Sequence, residues 1–215
     1  EAIVTNPYLS LHYGLGQGFD GYANVTIESE AFLTFRNTAL LRLATWAWPQ
    51  LQLGDRGQVV SQRAVAWLEN NSWQQPFLLW LHYVDPHPPY DRGTASGHKS
   101  FRGDTLLGAS QRPVDLTLTS PDIARLRSGE IRLSPAEKAA VADLYRAEVH
   151  SVDAAVGEVL DQIDRLGLRD KTLVVIVADH GEEFWEHGGV EHGHTVYDEV
   201  IRIPLLMRLP GRLPR

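Results

Sequence analysis

The chain has 215 residues, 43% of them hydrophobic, so it is long enough to bury the core of one globular domain or of one large piece of a domain. Its formal net charge of −7 at pH 7 argues against a sequence-independent nucleic-acid binder, because neutralising backbone phosphates requires a basic surface. The absence of cysteine excludes disulfides, zinc–thiolate sites and a cysteine nucleophile.

The first seventy residues contain turn signals and one helix. Residues 2–5 are rich in apolar and β-branched side chains, and Asn6-Pro7 ends this short predicted strand. The glycines of residues 14–21 lack the spacing of the dinucleotide-binding fingerprint, so a structural turn is favoured there. Residues 57–70 separate apolar from polar side chains at helical spacing, which predicts an amphipathic helix.

A second apolar run, residues 76–83, predicts a buried strand that ends in His82-Tyr-Val-Asp-Pro-His-Pro-Pro-Tyr90. Three prolines stiffen this loop, so Asp85 and His87 are presented with little conformational entropy to lose. The alternative is a proline-rich connector with incidental histidines. That alternative does not account for a second predicted strand, at residues 173–178, which is also followed by Asp and His.

The least regular segment is residues 91–133, which is rich in Gly, Ser, Thr and Pro. A connection of this length is usually a functional lid or a mobile insertion. Its scattered basic side chains could meet an anionic substrate, although ordinary surface charge is the favoured interpretation: Lys99, Arg102, Arg112 and Arg125. Ser134-Pro-Ala-Glu137 then predicts the start of a long amphipathic helix, which Gly167 ends.

The motif with the most chemistry follows a β-branched run at residues 173–178, predicted to be a strand buried on both faces. Asp179-His180-Gly181 ends this run, and further acids and histidines follow within a few residues. Ligands bind beyond the carboxyl ends of strands in open α/β sheets, and Asp with His offers two ligands to a divalent cation. The alternative is a capping aspartate followed by a solvated loop, which the density of these groups makes the weaker hypothesis.

The remaining pattern predicts the architecture. A short helix at 195–200 precedes a strand at 201–209, which Pro204 interrupts and which therefore enters the sheet around Leu205. The alternation of helices and strands predicts an α/β fold with a largely parallel sheet covered on both faces.

These motifs resemble those of the sulfatases, in the alkaline-phosphatase-like superfamily. The resemblance rests on three stretches in the right order: Val4-Thr-Asn-Pro with Gly14-Leu-Gly-Gln-Gly-Phe-Asp20, Pro76 to Tyr90, and Asp179-His-Gly-Glu-Glu through His192-Gly-His-Thr-Val-Tyr-Asp-Glu199 and Ile203-Pro-Leu. It implies a three-layer α/β/α sandwich with a mostly parallel sheet, of which residues 1–215 form part of the catalytic domain and 91–133 an insertion or lid.

Residue by residue, the resemblance implies that Asp179 and His180 bind a divalent cation, calcium first, with magnesium, manganese or zinc as alternatives. It also implies that His87 contacts the sulfate or the leaving-group oxygen, and that His192 contacts the sulfate. His194 is the alternative to His192 if the loop register differs. The implied substrate is a small sulfate ester, carried on a glycan or an aryl group, and the implied compartment is the periplasm, the cell surface or the extracellular space.

The sequence departs from the family pattern at the nucleophile. It lacks the Cys/Ser-x-Pro-x-Arg motif that yields formylglycine, and no strand with paired acidic ligands precedes the resemblance. We therefore expect an internal piece of a sulfatase-like enzyme that holds half of the metal and anion site and is inactive alone, with any membrane anchor upstream. Phosphoryl chemistry on a phosphonate, a phosphodiester or a cell-envelope polymer, and a non-catalytic binding domain of the same fold, remain the alternatives.

Overall fold

The computed structural model describes residues 1–25, 56–71, 76–90, 118 and 120–213, which belong to two compact units. The first unit contains residues 1–86 and 150–162, and the second contains residues 87–149 and 163–215. No helix in the described ranges combines the length and the apolar character that a membrane crossing requires.

A parallel three-stranded sheet lies at the centre of the first unit. β1 (Ala2–Val4) pairs on one side with β2 (Tyr22–Asn24) and on the other with β3 (Trp80–His82). All three residues of β1 are buried, as expected for the central strand of a parallel sheet. The strand predicted at residues 2–5 is confirmed. The strand predicted at 76–83 is confirmed as the shorter β3, whose three residues are half-buried and not buried as predicted.

The amphipathic helix predicted at residues 57–70 is confirmed as α1 (Arg56–Asn70). Ser61 Oγ donates a hydrogen bond of 2.6 Å to the Ala155 carbonyl, which joins α1 to another helix of the same unit. The apolar side chains that this helix buries completely recur at every fourth position: Val60, Ala64 and Leu68.

Two polar side chains fix the chain that follows β3. Thr5 Oγ1 donates to the His82 carbonyl at 2.8 Å and accepts from the Val84 amide at 2.9 Å. Asp85 is buried, and its carboxylate accepts from the Gly57 amide at 3.1 Å, at the start of α1. The expectation that the proline-rich loop presents Asp85 to a ligand is therefore wrong, because this carboxylate binds the helix N-terminus.

The long helix predicted after Ser134 is confirmed as Pro135–Arg165. It is named α3, because one helix, α2 (Ser120–Arg127), lies between it and α1 in the described chain. The Ser134 amide donates to Glu137 Oε2 at 2.7 Å, and the Glu137 amide donates to Ser134 Oγ at 3.3 Å, which is a reciprocal capping box. Gly167 ends the helix with φ of +67°, a left-handed conformation that favours glycine.

The segment 91–133 is not irregular throughout, because it contains α2 (Ser120–Arg127). Residues 91–117 and 119 lie outside the described residues, so the lid predicted there stays a prediction. The hydrophobic core of the second unit contains residues from this segment, from Tyr90 just before it, from α3 and from the region of residue 190. Its buried members are Tyr90, Leu118, Ile123, Ile131, Leu133, Val141 and Val190.

The strand predicted at 173–178 is confirmed as β4 (Val174–Val177), and the one predicted to enter around Leu205 is confirmed as β7 (Leu205–Arg208). They pair antiparallel, with Val175 opposite Met207, unlike the parallel sheet of the first unit. The expectation that β4 is buried on both faces is wrong in this structure, since Val177 is 58% exposed. An apolar β-branched run predicts that a strand forms there. Whether the strand is buried depends on which other elements cover its two faces.

A hairpin and a short helix connect these two strands. β5 (Glu183–Phe184) pairs antiparallel with β6 (Val190–Glu191), and α4 (Asp198–Ile201) follows. The helix predicted at 195–200 therefore exists but begins three residues later. Val190 belongs to the hydrophobic core and Glu183 is completely buried, so each strand of the hairpin has a residue in the interior of the second unit.

Candidate functional site

The two predicted metal ligands lie directly after β4 in the second unit. The Asp179 carboxylate is 82% exposed and accepts from the His180 amide at 3.1 Å, while His180 Nε2 lies 3.6 Å from Asp179 Oδ1. His180 Nδ1 lies 2.8 Å from the Gly181 carbonyl, which can only accept, so Nδ1 carries a proton. The lone pair of neutral His180 is then on Nε2, beside the accessible carboxylate oxygen.

This pair fits part of a cation site. Two ligand atoms 3.6 Å apart can contact one cation, given ligand distances of about 2.0–2.6 Å for zinc, magnesium or calcium. Holding the other imidazole nitrogen through a carbonyl is a common arrangement around ligating histidines. Calcium takes about six to eight oxygen-rich ligands, so Asp179 and His180 supply a minority of the set that it needs.

Gly181 brings the backbone after the two ligands against α4. Its amide donates to the Val200 carbonyl at 2.6 Å, and the Glu182 amide donates to the Glu199 carbonyl at 2.9 Å. A Cβ atom at Gly181 would lie 2.1 Å from the Glu199 carbonyl oxygen. The glycine is therefore required by this close approach of two backbones.

Three of the predicted site histidines lie together. The rings of His180 and His192 stack with centroids 3.7 Å apart, and the ring of His87 meets that of His192 edge-on at 5.2 Å. His87 Nδ1 lies 2.7 Å from the Pro88 carbonyl, so its Nδ1 also donates and its Nε2 is left for another partner. These three histidines, with Asp179, form what we call the histidine row.

A buried carboxylate holds the central ring of the row. His192 Nδ1 lies 3.3 Å from Glu182 Oε1, and the Tyr90 hydroxyl donates to Glu182 Oε2 at 3.0 Å. The hydrogen bond to Glu182 raises the pKa of His192, and partial burial opposes this effect. Burial, and then the neighbouring Glu182 charge, raise the pKa of Tyr90 far above its usual range, so this hydroxyl stays a donor.

The structure places His194 apart from the histidine row. Its Nε2 lies 3.2 Å from Oε2 of Glu183, and its Nδ1 lies 2.9 Å from the Arg127 guanidinium. Glu183 is completely buried, and its other oxygen accepts from the Gly189 amide at 2.7 Å. Of the two alternatives for the anion contact, His192 is therefore the one whose ring packs on His180.

Three residues of this region were not singled out by the sequence: Tyr90, Arg127 and Glu182. Glu182 follows Asp-His-Gly directly, and its position was a usable signal for a carboxylate near the metal ligands. Tyr90 ends the predicted proline-rich motif, but nothing in its spacing indicates a bond to a residue 92 positions away. Arg127 lies in a helix that the sequence analysis did not predict.

Two further groups of His and Glu side chains among the described residues have the spacing that a metal ion would require, with one ligand atom from each residue within 4.8 Å of the others: His87 with Glu191 and His192, and Glu183 with His187 and Glu199. Neither group includes Asp179 or His180. In the first, Glu191 Oε2 accepts from Arg127 at 2.6 Å, and in the second, Glu199 Oε1 lies 2.5 Å from His187 Nδ1. Protein partners thus already satisfy part of each group.

Comparison with known proteins shows similarity to sulfatases. The chain is 28% identical over 157 residues to an endo-4-O-sulfatase of Bacteroides thetaiotaomicron, which covers 71% of this chain and 28% of that protein. It is 27% identical over 171 residues to arylsulfatase K of Mus musculus, covering 70% of this chain and 30% of that protein. The chain therefore spans less than a third of the length of these curated relatives.

The fold is also similar to solved structures. A 2-O GAG sulfatase superposes with a TM-score of 0.52 at 20% sequence identity, covering 72% of this chain and 35% of that one. Together with the parallel sheet and its helices, this likeness confirms the predicted α/β, alkaline-phosphatase-like fold. The family model described as Sulfatase matches residues 14–215, which is nearly the whole sequence, and the chain belongs to the sulfatase family.

Proposed function

We propose that the whole protein is a metal-dependent hydrolase of sulfate esters, and that this chain supplies part of its metal and anion site. The histidine row supports this proposal best. In this row the ring of His192 stacks on the ring of the predicted metal ligand, His180, and the ring of His87 packs edge-on against His192. Family membership and the sulfatases among its relatives support the sulfate ester as the substrate class.

Asp179 and His180 are proposed to hold the cation. A bound divalent cation would neutralise the non-bridging sulfate oxygens and so stabilise charge in the transition state. The exposed carboxylate of Asp179 and the Nε2 lone pair of neutral His180 are the atoms available for this contact.

His192 and His87 are proposed to act on the anion and on the leaving group. Hydrolysis breaks the S–O bond to the alcohol, and the departing oxygen takes a proton. Because Glu182 favours the charged form of His192, we assign to that residue the electrostatic contact with the sulfate. His87 has its Nδ1 committed to the Pro88 carbonyl, so its Nε2 is the atom assigned to proton transfer.

The proposed substrate is a sulfate ester on a glycan or an aryl group. The name of the endo-4-O-sulfatase relative favours a glycan, and that of arylsulfatase K an aryl group. The nucleophile is not assigned to a residue of this chain, which contains no cysteine. Formylglycine is the nucleophile that the family resemblance implies.

Kinetics of the whole protein test the proposal. It should hydrolyse 4-nitrophenyl sulfate, lose this activity with EDTA and regain it with calcium or another divalent cation. Combined Asp179→Ala and His180→Ala substitutions should abolish the metal-dependent rate, whereas Asp143→Ala, at an exposed ion pair with Arg146 on α3, should not. Unchanged activity in the double variant would overturn the ligand assignment. Turnover of a phosphonate or phosphodiester without turnover of sulfate would replace the proposal with phosphoryl chemistry.

A further inference from the structure

Arg127 connects the last turn of α2 to the loop that carries two of the site histidines. One guanidinium nitrogen, Nη2, lies 2.6 Å from Glu191 Oε2, 2.7 Å from the His192 carbonyl oxygen and 2.9 Å from His194 Nδ1. The carboxylate it meets is only 16% exposed, which strengthens the charge-assisted bond relative to a surface pair. A single guanidinium nitrogen thus contacts three residues of one loop: Glu191, His192 and His194.

From these contacts we propose that Arg127 is a positioning residue, which fixes the loop at residues 191–194 and thereby the ring of His192. This inference rests on the proposed function, in which His192 contacts the anion. Arg127 is assigned no contact with the substrate or the metal, and it acts through the loop.

Two contacts of His194 Nδ1 compete for the proton of that ring. The Arg127 guanidinium lies 2.9 Å away and only donates, whereas the His192 carbonyl lies 3.3 Å away and only accepts. The shorter, charge-assisted contact with Arg127 favours a lone pair on Nδ1. The proton of the neutral ring is then on Nε2, which lies 3.2 Å from Oε2 of the buried Glu183. That oxygen has no aligned hydrogen-bond donor among the described residues, so its contact with His194 is a close polar contact. The His194 ring therefore lies between the Glu183 carboxylate and the Arg127 guanidinium, so that each of these charges has an opposite or polar neighbour.

The backbone of the loop shows why an external restraint is needed. Glu191 has φ of +71° and Gly193 has φ of +80°, so left-handed residues flank His192 on both sides. A non-glycine residue in this conformation persists where its surroundings fix it. Arg127 bonds the Glu191 side chain and the next carbonyl, which is the restraint this geometry requires.

Loss of the restraint should displace His192 more than it weakens substrate capture. A displacement of about 1 Å in a positioned catalytic group can reduce turnover by roughly a hundredfold. We expect Arg127→Ala to lower kcat about 10- to 100-fold with a much smaller change in KM. Arg127→Lys keeps the charge but lacks the planar fork, so it should recover only part of the loss.

The matched control is Arg125→Ala. Arg125 lies on the same helix but pairs with Asp122 and Glu130, at 3.4 and 2.9 Å. This variant should retain the kcat of the wild type, which separates the proposed role from a general need for α2. Millimolar guanidinium added to Arg127→Ala should restore part of kcat and should leave Arg125→Ala unchanged.

A second readout does not depend on activity. ¹⁵N NMR of histidine-labelled whole protein should show His194 with an unprotonated Nδ1, assigned by difference from His194→Gln, and Arg127→Ala should change this signal and that of His192. Wild-type kcat in Arg127→Ala, or His signals that do not respond to it, would overturn the positioning role while leaving the proposed function intact. If the wild type hydrolyses no sulfate ester, the proposed function fails, and the NMR comparison still decides the role of Arg127.

Discussion

The imidazole of His192 stacks on that of His180 with ring centroids 3.7 Å apart and an interplanar angle of 29°. His180 follows a strand end and His192 follows a hairpin, so their contact depends on the folding of the segment between them. The stacking joins the predicted metal ligand to the predicted anion contact. A change at either ring should therefore be detected at the other.

Replacement of His192 tests the catalytic half of this pair. His192→Asn should reduce kcat for 4-nitrophenyl sulfate about 10²- to 10⁴-fold, because general acid–base and electrostatic roles of histidine contribute at this level. His150→Gln is the control, since His150 lies exposed on α3 away from this pair in the chain. Rates should be measured at saturating substrate and saturating calcium. Equal turnover in the wild type and His192→Asn would contradict the role assigned to His192.

Removal of metal tests the other half without an activity assay. Ligands that bind only the folded state stabilise it by about 2.7 kcal/mol at a free concentration of roughly 100 times Kd. Calcium should therefore raise the unfolding midpoint of the EDTA-treated wild type. Asp179→Ala should reduce this increase, and Asp143→Ala should retain it. An identical calcium response in all three proteins would exclude Asp179 as a ligand.

Sequence patterns predicted β1, β3, β4 and β7, the long helix and the family, because each depends on local spacing or on motifs with a known order. The short strands β2, β5 and β6 were not predicted. α3 is the clearest case, since its capping box and its terminal glycine are both visible in the sequence and both confirmed. Ser120-Pro121 has the same Ser-Pro start as Ser134-Pro135, with Asp122 in its first turn. α2 was missed because it is short and surrounded by residues typical of loops.

The parts that could not be predicted depend on contacts between distant segments. His87 and His192 were expected near one another because the family resemblance assigns both to the sulfate, and their edge-on packing comes from tertiary structure. The partnership of Arg127 with three acceptors had no local signal, since a basic residue in the last turn of a helix is common for electrostatic reasons alone. The exposure of Val177 likewise depends on which elements cover β4.

The buried Tyr90 hydroxyl should make the stability of the protein depend on pH in the alkaline range. Its pKa is raised in the folded state, first by burial and then by Glu182, so the folded protein keeps a proton that the unfolded chain releases near pH 10. The stabilisation is fully present below pH 10 and decreases above it, because the unfolded state then binds fewer protons, with a limiting slope of about 1.4 kcal/mol per pH unit.

The difference in unfolding free energy between the wild type and Tyr90→Phe, measured by urea unfolding, should therefore become smaller as the pH rises from 9 to 11. Tyrosinate absorbance at 295 nm provides the check. In the folded state below pH 12 the wild type and the variant should titrate with the same amplitude, while in urea the variant should lack one tyrosine. If the folded variant showed an absorbance amplitude smaller by one tyrosine than the folded wild type, Tyr90 would ionise normally in the folded protein.

Gly181 is the position at which the backbone of the candidate site has the least room. A Cβ atom there would lie 2.1 Å from the Glu199 carbonyl oxygen, and the Gly181 amide bonds the Val200 carbonyl at 2.6 Å, so the chain cannot move aside without losing that bond. Gly181→Ala should cost about 1–3 kcal/mol of unfolding free energy, as overpacking typically does, and should weaken calcium binding by displacing Asp179 and His180. Gly157→Ala is the control, because a Cβ atom in that part of α3 meets nothing within 4 Å and alanine favours a helix by up to about 1 kcal/mol. Urea unfolding and calcium titration of both variants measure their unfolding free energies and calcium affinities. Equal unfolding free energies of Gly181→Ala and Gly157→Ala would show that the contact with Glu199 does not restrict this turn.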